Sequence, residues 1–123
     1  MHQASKPYDL EDRTFLFAQR VRKFVRTLPR SLANYEDAKQ LVRSSGSVGA
    51  NYIEANESLG PKDFACHIKI SRKEAKESRY WLRLLFTDDK PALDAERDIL
   101  IQEAFELMNI FRAILRKTQA GQS

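Results

Sequence analysis

Apolar and small residues recur at alternating spacings of four and three through most of this chain. The pattern is broken at Pro7, Pro29, Gly60-Pro61 and Asp88-Asp89-Lys90-Pro91, which leaves four periodic segments. A four–three alternation places residues on one buried helix face, whereas a half-buried strand needs a period of two. The chain is thus restricted to helices packed face to face. With only 4 Gly and 4 Pro in 123 residues, it lacks the turn residues that an all-β fold of this length requires. Its 42% hydrophobic content supplies enough apolar surface for a core, so wholesale disorder is excluded.

The spacing predicts a first helix over 10–28. Asp9 is its N-cap and Leu10, Thr14, Phe17, Val21, Phe24 and Leu28 form its stripe. A second helix is predicted over 35–59, with Asn34 as N-cap and Gly60 as the residue that ends it. Its middle, Ser44-Ser45-Gly46-Ser47-Val48-Gly49-Ala50, holds two helix-weakening glycines, each costing about 1 kcal/mol relative to alanine. The apolar phase is the same on both sides, so the helix is read as continuous, with small residues where a neighbouring helix comes close. A third helix, over 61–86, carries Phe64, Ile68, Ser71, Ala75, Ser78, Leu82 and Leu85 without a slip, and its small middle matches that of the second. A fourth is predicted over 93–117, and residues 1–7 and 119–123 read as loose tails. Four such helices with short connections make an all-α, antiparallel up-down-up-down four-helix bundle in one domain.

A single cysteine, Cys66, permits no internal disulfide and points to a reducing compartment. No apolar run nears the roughly 18 residues of a membrane span, and residues 1–7 lack the apolar stretch of a signal peptide. The expected setting is cytoplasmic, without a membrane. With only His2 and His67, a His-rich metal site is excluded, and neither histidine follows a glutamate by three, as di-iron bundles require. Cys66 and His67 are adjacent, hence about 100° apart on a helix, and make no catalytic dyad.

The formal net charge of +4 hides a segregated distribution. Lys69, Arg72, Lys76, Arg79 and Arg83 form one stripe on the third helix, extended by Lys62. Like-charged neighbours at these spacings cost a few tenths of a kcal/mol each. Such a stripe faces either an anion or acids from elsewhere. From Arg13 to Arg30 there are six bases and no acid, namely Arg13, Arg20, Arg22, Lys23, Arg26 and Arg30. Residues 87–123 hold seven acids and five bases. Tyr80 and Trp81 lie beside the stripe, where they either stack on nucleic-acid bases or pack a helix–helix seam or a subunit interface.

Two acidic pairs, Glu54/Glu57 and Glu74/Glu77, lie on the second and third helices. Four converging carboxylates hold Mg²⁺, and the arrangement faintly resembles the all-α nucleotide pyrophosphohydrolases, with Glu77 where that family usually has Asp. The alternative is structural: Asn51, Glu54 and Glu74 hydrogen-bond or pair with arginine across the seam and set its register.

The runs Ser44-Ser45-Gly46-Ser47-Val48-Gly49-Ala50-Asn51-Tyr52-Ile53-Glu54-Ala55, Lys62-Asp63-Phe64 and Ile70-Ser71-Arg72-Lys73-Glu74-Ala75-Lys76-Glu77-Ser78-Arg79-Tyr80-Trp81-Leu82 resemble the four-helix-bundle proteins encoded in intervening sequences of 23S rRNA genes. The likeness spans about 8–118. To a lesser degree the chain resembles the accessory variability determinant of diversity-generating retroelements. The resemblance implies a homopentamer, and the retroelement relative implies nucleic-acid binding alongside a reverse transcriptase. The family's characteristic positions fall on Asn51, Glu54, Phe64, Glu74, Glu77 and Trp81. No enzyme activity carries over, and no cofactor or metal is expected.

The leading expectation is therefore a non-enzymatic RNA-binding oligomer. Its contacts are Lys69, Arg72, Lys76, Arg79 and Arg83, with Arg20, Arg22, Lys23 and Arg26. One alternative is a scaffold in which the stripe meets Asp94, Glu96, Asp98, Glu103 and Glu106 of a neighbouring subunit. The other is the metal-dependent hydrolase.

Overall fold

A computed structural model describes residues 9–122, among which there are four α-helices and no strand. They are α1 (Leu10–Val25), α2 (Leu32–Asn56), α3 (Pro61–Leu84) and α4 (Pro91–Gln122). The predicted tail over 1–7 and Ser123 lie outside the described residues.

Local chemistry sets the ends. Asp9 caps α1 by accepting from the Asp12 amide. That helix stops at Val25, short of the predicted Leu28, because the amide and hydroxyl of Thr27 both turn back onto the Phe24 carbonyl. Ser31, not Asn34, caps α2, accepting from the Asn34 amide at 3.1 Å. Asn34 is buried, at 4% exposure, and serves a distant partner. Its Nδ2 donates to the Pro29 and Phe86 carbonyls at 3.0 and 2.8 Å, and its Oδ1 accepts from the Phe86 amide at 2.8 Å. The α2 helix ends at Asn56 rather than 59, in a tightened turn where Ser58 donates through both its amide and its hydroxyl to Ala55 O. Gly60 does not end α2. It is extended, at φ −163°, and caps α3, with Pro61 at the first helical position.

The α3 helix ends at Leu84, two residues before the predicted limit, where Arg97 donates to the freed Leu85 carbonyl at 2.7 Å. A turn with Asp88 and Asp89 at φ 58° and 53° leads to α4, where Thr87 Oγ1 donates to Asp94. Pro91 starts α4 two residues early, its fixed φ suited to a first turn. The helix continues to Gln122, so the predicted tail over 119–122 is helical; no breaker interrupts it before Gly121.

Each helix packs against its neighbours in sequence, and α1 closes the ring against α4. Among the described residues α1 and α3 make no backbone approach, so they occupy one diagonal of the antiparallel bundle. The core holds the predicted stripes. Phe111, Leu41, Ile68, Leu82, Leu100 and Leu107 are fully buried, each contributing about 1.5–3 kcal/mol of burial free energy. Tyr52 and Phe111 meet across it with ring centroids 5.9 Å apart.

The small segment of α2 serves two neighbours. Its serine side faces α3: Ser44 Oγ lies 2.8 Å from Ser78 Oγ, and Ser71 Oγ donates to Val48 O at 2.9 Å. Its glycine side faces α1. A Cβ at Gly49 would lie 2.7 Å from Thr14 Oγ1, so α1 approaches at a distance only glycine allows. The helix stays continuous because these packing gains outweigh the glycine penalty.

Candidate nucleic-acid interface

The basic stripe of α3 runs along the flank next to α4. Arg79 marks this flank: its guanidinium lies 5.4 Å from the Phe105 ring centroid on α4. Lys69, Lys76 and Arg83 are exposed and Arg72 is half-buried. No carboxylate among the described residues lies within 4.0 Å of any of these five cations. From Lys69 to Arg83 the stripe extends about 21 Å along the axis. The Arg79–Phe105 contact also fixes the antiparallel register. Arg72, one heptad before Arg79, is therefore level with Arg112, one heptad beyond Phe105, and Arg112 is itself exposed. The α3–α4 groove thus gathers cations from both helices.

The bases of α1 divide differently. Arg13 grips Glu103 with two bonds of 2.7 and 2.8 Å and reaches Glu106 at 2.9 Å. Arg20 grips Glu96 with two bonds of 2.6 and 2.9 Å. These hydrogen bonds raise the pKa of both guanidinium groups. Arg22 folds back to donate to Ala18 O at 3.0 Å and reaches Val42 O at 3.4 Å. Lys23 and Arg26 are exposed and have no carboxylate within the same 4.0 Å limit among the described residues. Because α1 and α3 lie on a diagonal, these two residues do not join the α3 stripe in one patch.

The acids of α4 are largely committed within the chain. Glu96, Glu103 and Glu106 serve α1, and Asp94 pairs with Arg97 at 3.3 Å. Of the five acids expected to meet a neighbour's α3, Asp98 alone has no ion-pair partner among the described residues.

The family-motif positions gather along the opposite flank of α3, against α2. Glu74 is buried at 6% exposure; its Oε2 lies 3.5 Å from Arg43, which also reaches Glu77 at 3.4 Å. Asn51 donates to Ser47 at its carbonyl (3.0 Å) and hydroxyl (2.9 Å), and its Oδ1 lies 3.3 Å from His67 Nδ1. Trp81 and Phe64 are half-buried against the core. Glu54 is exposed. Pairs such as Ser44–Ser78 and Asn51–His67 put Glu54 level with residues 64–66, about 12–15 Å along α3 from Glu74. The four glutamates therefore do not converge, and no group of three metal-ligating side chains occurs among the described residues.

Sequence reasoning missed Arg43, which bridges both α3 glutamates, and Phe105, the ring under Arg79. Neither has a local signature, because each partner comes from another helix. The α1–α4 pairs were foreshadowed only by the opposite charge of the two segments.

The sequence profile described as 23S rRNA-intervening sequence protein matches residues 8–113. A crystal structure from Bacteroides thetaiotaomicron VPI-5482, described as a protein of unknown function from the S23 ribosomal protein family, superimposes with a TM-score of 0.70. It is 27% identical, and the alignment covers 86% of this chain and 94% of that one. Comparison with curated proteins gives no match. With the profile covering nearly the whole bundle and the fold shared, the chain belongs to the 23S rRNA-intervening sequence protein family.

Proposed function

We propose that this protein is a non-enzymatic, cytoplasmic RNA-binding oligomer that presents the α3 flank to phosphate. One observation carries the reading. Arg13 and Arg20 have carboxylate partners inside the chain, whereas Lys69, Arg72, Lys76 and Arg83 have none among the described residues. Phosphate contacts by such a stripe give affinity with little sequence reading. The contact set is therefore Lys69, Arg72, Lys76 and Arg83, with Arg79 at the groove edge. Lys23 and Arg26 form a separate patch, and Arg20 and Arg22 belong to the bundle's own bonding.

Self-association into a homopentamer, as the family resemblance implies, would array five such flanks and add avidity. Phe15 and Ile53 stand exposed beside Gly46, Gly49 and Ala50 in the α1–α2 groove, an apolar surface that supports self-association. Ribosomal RNA, or an RNA assembled with a reverse transcriptase, is the partner the family link favours. No helix among the described residues is long and apolar enough to cross a membrane.

A salt titration of RNA affinity tests the reading. Neutralising Lys69, Arg72, Lys76 and Arg83 together to glutamine should reduce the slope of log K against log salt by about 3, at about 0.7–0.9 per lost phosphate contact. Arg20→Gln should leave it unchanged. Affinity that ignores salt, or that survives the fourfold change, would overturn the proposal.

A further inference from the structure

We infer that the basic flank of α3 takes unpaired nucleotides, with Tyr80 offering its ring to a base while Lys76 and Arg83 hold the phosphates. This rests on the nucleic-acid reading above and narrows its ligand to single strands.

The adjacent aromatics Tyr80 and Trp81 have opposite fates. Trp81 packs against the core with its Nε1 enclosed, so its ring is committed to the bundle. Tyr80 is 54% exposed. It stands one turn beyond Lys76 and one turn before Arg83, between two cations of the stripe. Its ring meets Trp81 edge to face, with centroids 5.1 Å apart and an interplanar angle of 76°. That contact braces the tyrosine on one side while more than half of it stays exposed. Bracing lowers the ordering cost of stacking a ligand there.

On the other side of the stripe, Phe105 is 38% exposed and carries the Arg79 guanidinium over its ring. The Arg79 Nε is enclosed and has no acceptor among the described residues. The Phe105 ring is thus taken up by Arg79, which leaves Tyr80 as the exposed ring beside the stripe. Exposed aromatic rings cost solvation and contribute nothing to a phosphate contact. A duplex presents its backbone and keeps its base faces stacked internally, so the Tyr80 ring gains little from it. A single strand offers a free π-face for each base, and base–aromatic stacking of this kind changes affinity about 5–150-fold per base.

Fluorescence anisotropy of the full chain with a labelled, unstructured 12-nucleotide RNA and with a 12-base-pair RNA duplex tests the inference, using wild type, Tyr80→Ala and Tyr80→Phe. The expected result is tighter binding to the single strand by wild type. Tyr80→Ala should then lose at least fivefold on the single strand and keep its duplex affinity, and Tyr80→Phe should match wild type on both. Equal loss on both RNAs, no loss on either, or a Tyr80→Phe as weak as Tyr80→Ala would overturn it while leaving the broader RNA reading intact. A changed oligomeric state of Tyr80→Ala by light scattering would also overturn it, because the ring would then be a subunit contact. If wild type binds neither RNA, the broader reading itself falls.

Discussion

Replacing either glycine in the middle of α2 by alanine adds the same methyl group to the same helix, yet the surroundings give the two changes opposite signs. Alanine is favoured over glycine in a helix interior by about 1 kcal/mol. At Gly46 the new Cβ meets only Arg22 Nη2, at 3.2 Å, the far end of a flexible side chain. Arg22 gives way at small cost, since its reach to Val42 O is already long at 3.4 Å. Gly46→Ala should stabilise the fold by about 0.5–1 kcal/mol. At Gly49 the new Cβ falls 2.7 Å from Thr14 Oγ1 and 3.1 Å from Thr14 Cβ, with the α1 backbone 3.8 Å away. Thr14 is buried and its hydroxyl donates to Glu11 O at 2.9 Å, so it has nowhere to turn and α1 must shift. Overpacking of this kind costs about 1–3 kcal/mol, which outweighs the helix gain. The two variants should differ by about 1–3 kcal/mol. Thermal unfolding followed by circular dichroism reads this as about 3–5 °C per kcal/mol for a chain of this size. One fixed protein concentration is needed, because self-association makes Tm concentration-dependent. Adding Thr14→Ala to Gly49→Ala removes the 2.7 Å contact but keeps the Cβ at 3.1 Å, so it should recover part of the packing cost, measured against Thr14→Ala alone. A Gly49→Ala protein as stable as Gly46→Ala, or no coupling with Thr14→Ala, would refute the close-approach argument.

Asn34→Ala should destabilise by about 2–4 kcal/mol in urea unfolding, because it orphans both backbone groups of Phe86. Asn34→Asp should also destabilise, since a carboxylate accepts from the Phe86 amide but cannot donate to its carbonyl. The Glu106 carboxyl is held below its ordinary pKa, first by the Gln102 amide donating to it and then by Arg13. A depressed folded pKa stabilises above the unfolded value of about 4.3 and is lost as pH falls through the folded value. Glu106→Gln should therefore match the wild type at low pH, fall below it at neutral pH by the small amount expected of an exposed pair, and flatten the acid limb by that same amount.

The fold was legible because helical periodicity is local. The stripe from Ile68 to Leu82 names the buried face of α3, and the structure buries those residues. Helix ends were less legible because several capping residues compete within a few positions. Ser31 and Asn34 are both good N-caps, and the choice between them depends on Phe86, far along the chain. The candidate interface was legible as a charge pattern but not as a surface. Arg20 and Lys76 look alike as basic helix positions, yet only Arg20 lies where α4 brings a glutamate to it.

The amino-acid sequence alone determined that there are four helices, where their breakers fall and which face of each turns inward, since each depends on residues within a turn or two. The tertiary structure decided which cations have a carboxylate partner among the described residues, that α1 and α3 lie on a diagonal, that Gly49 serves α1 while Ser44 serves α3, and that Tyr80 is exposed while Trp81 is half-buried with its Nε1 enclosed. Those outcomes depend on which residues meet across helices, and a spacing rule within one helix carries no information about a partner on another.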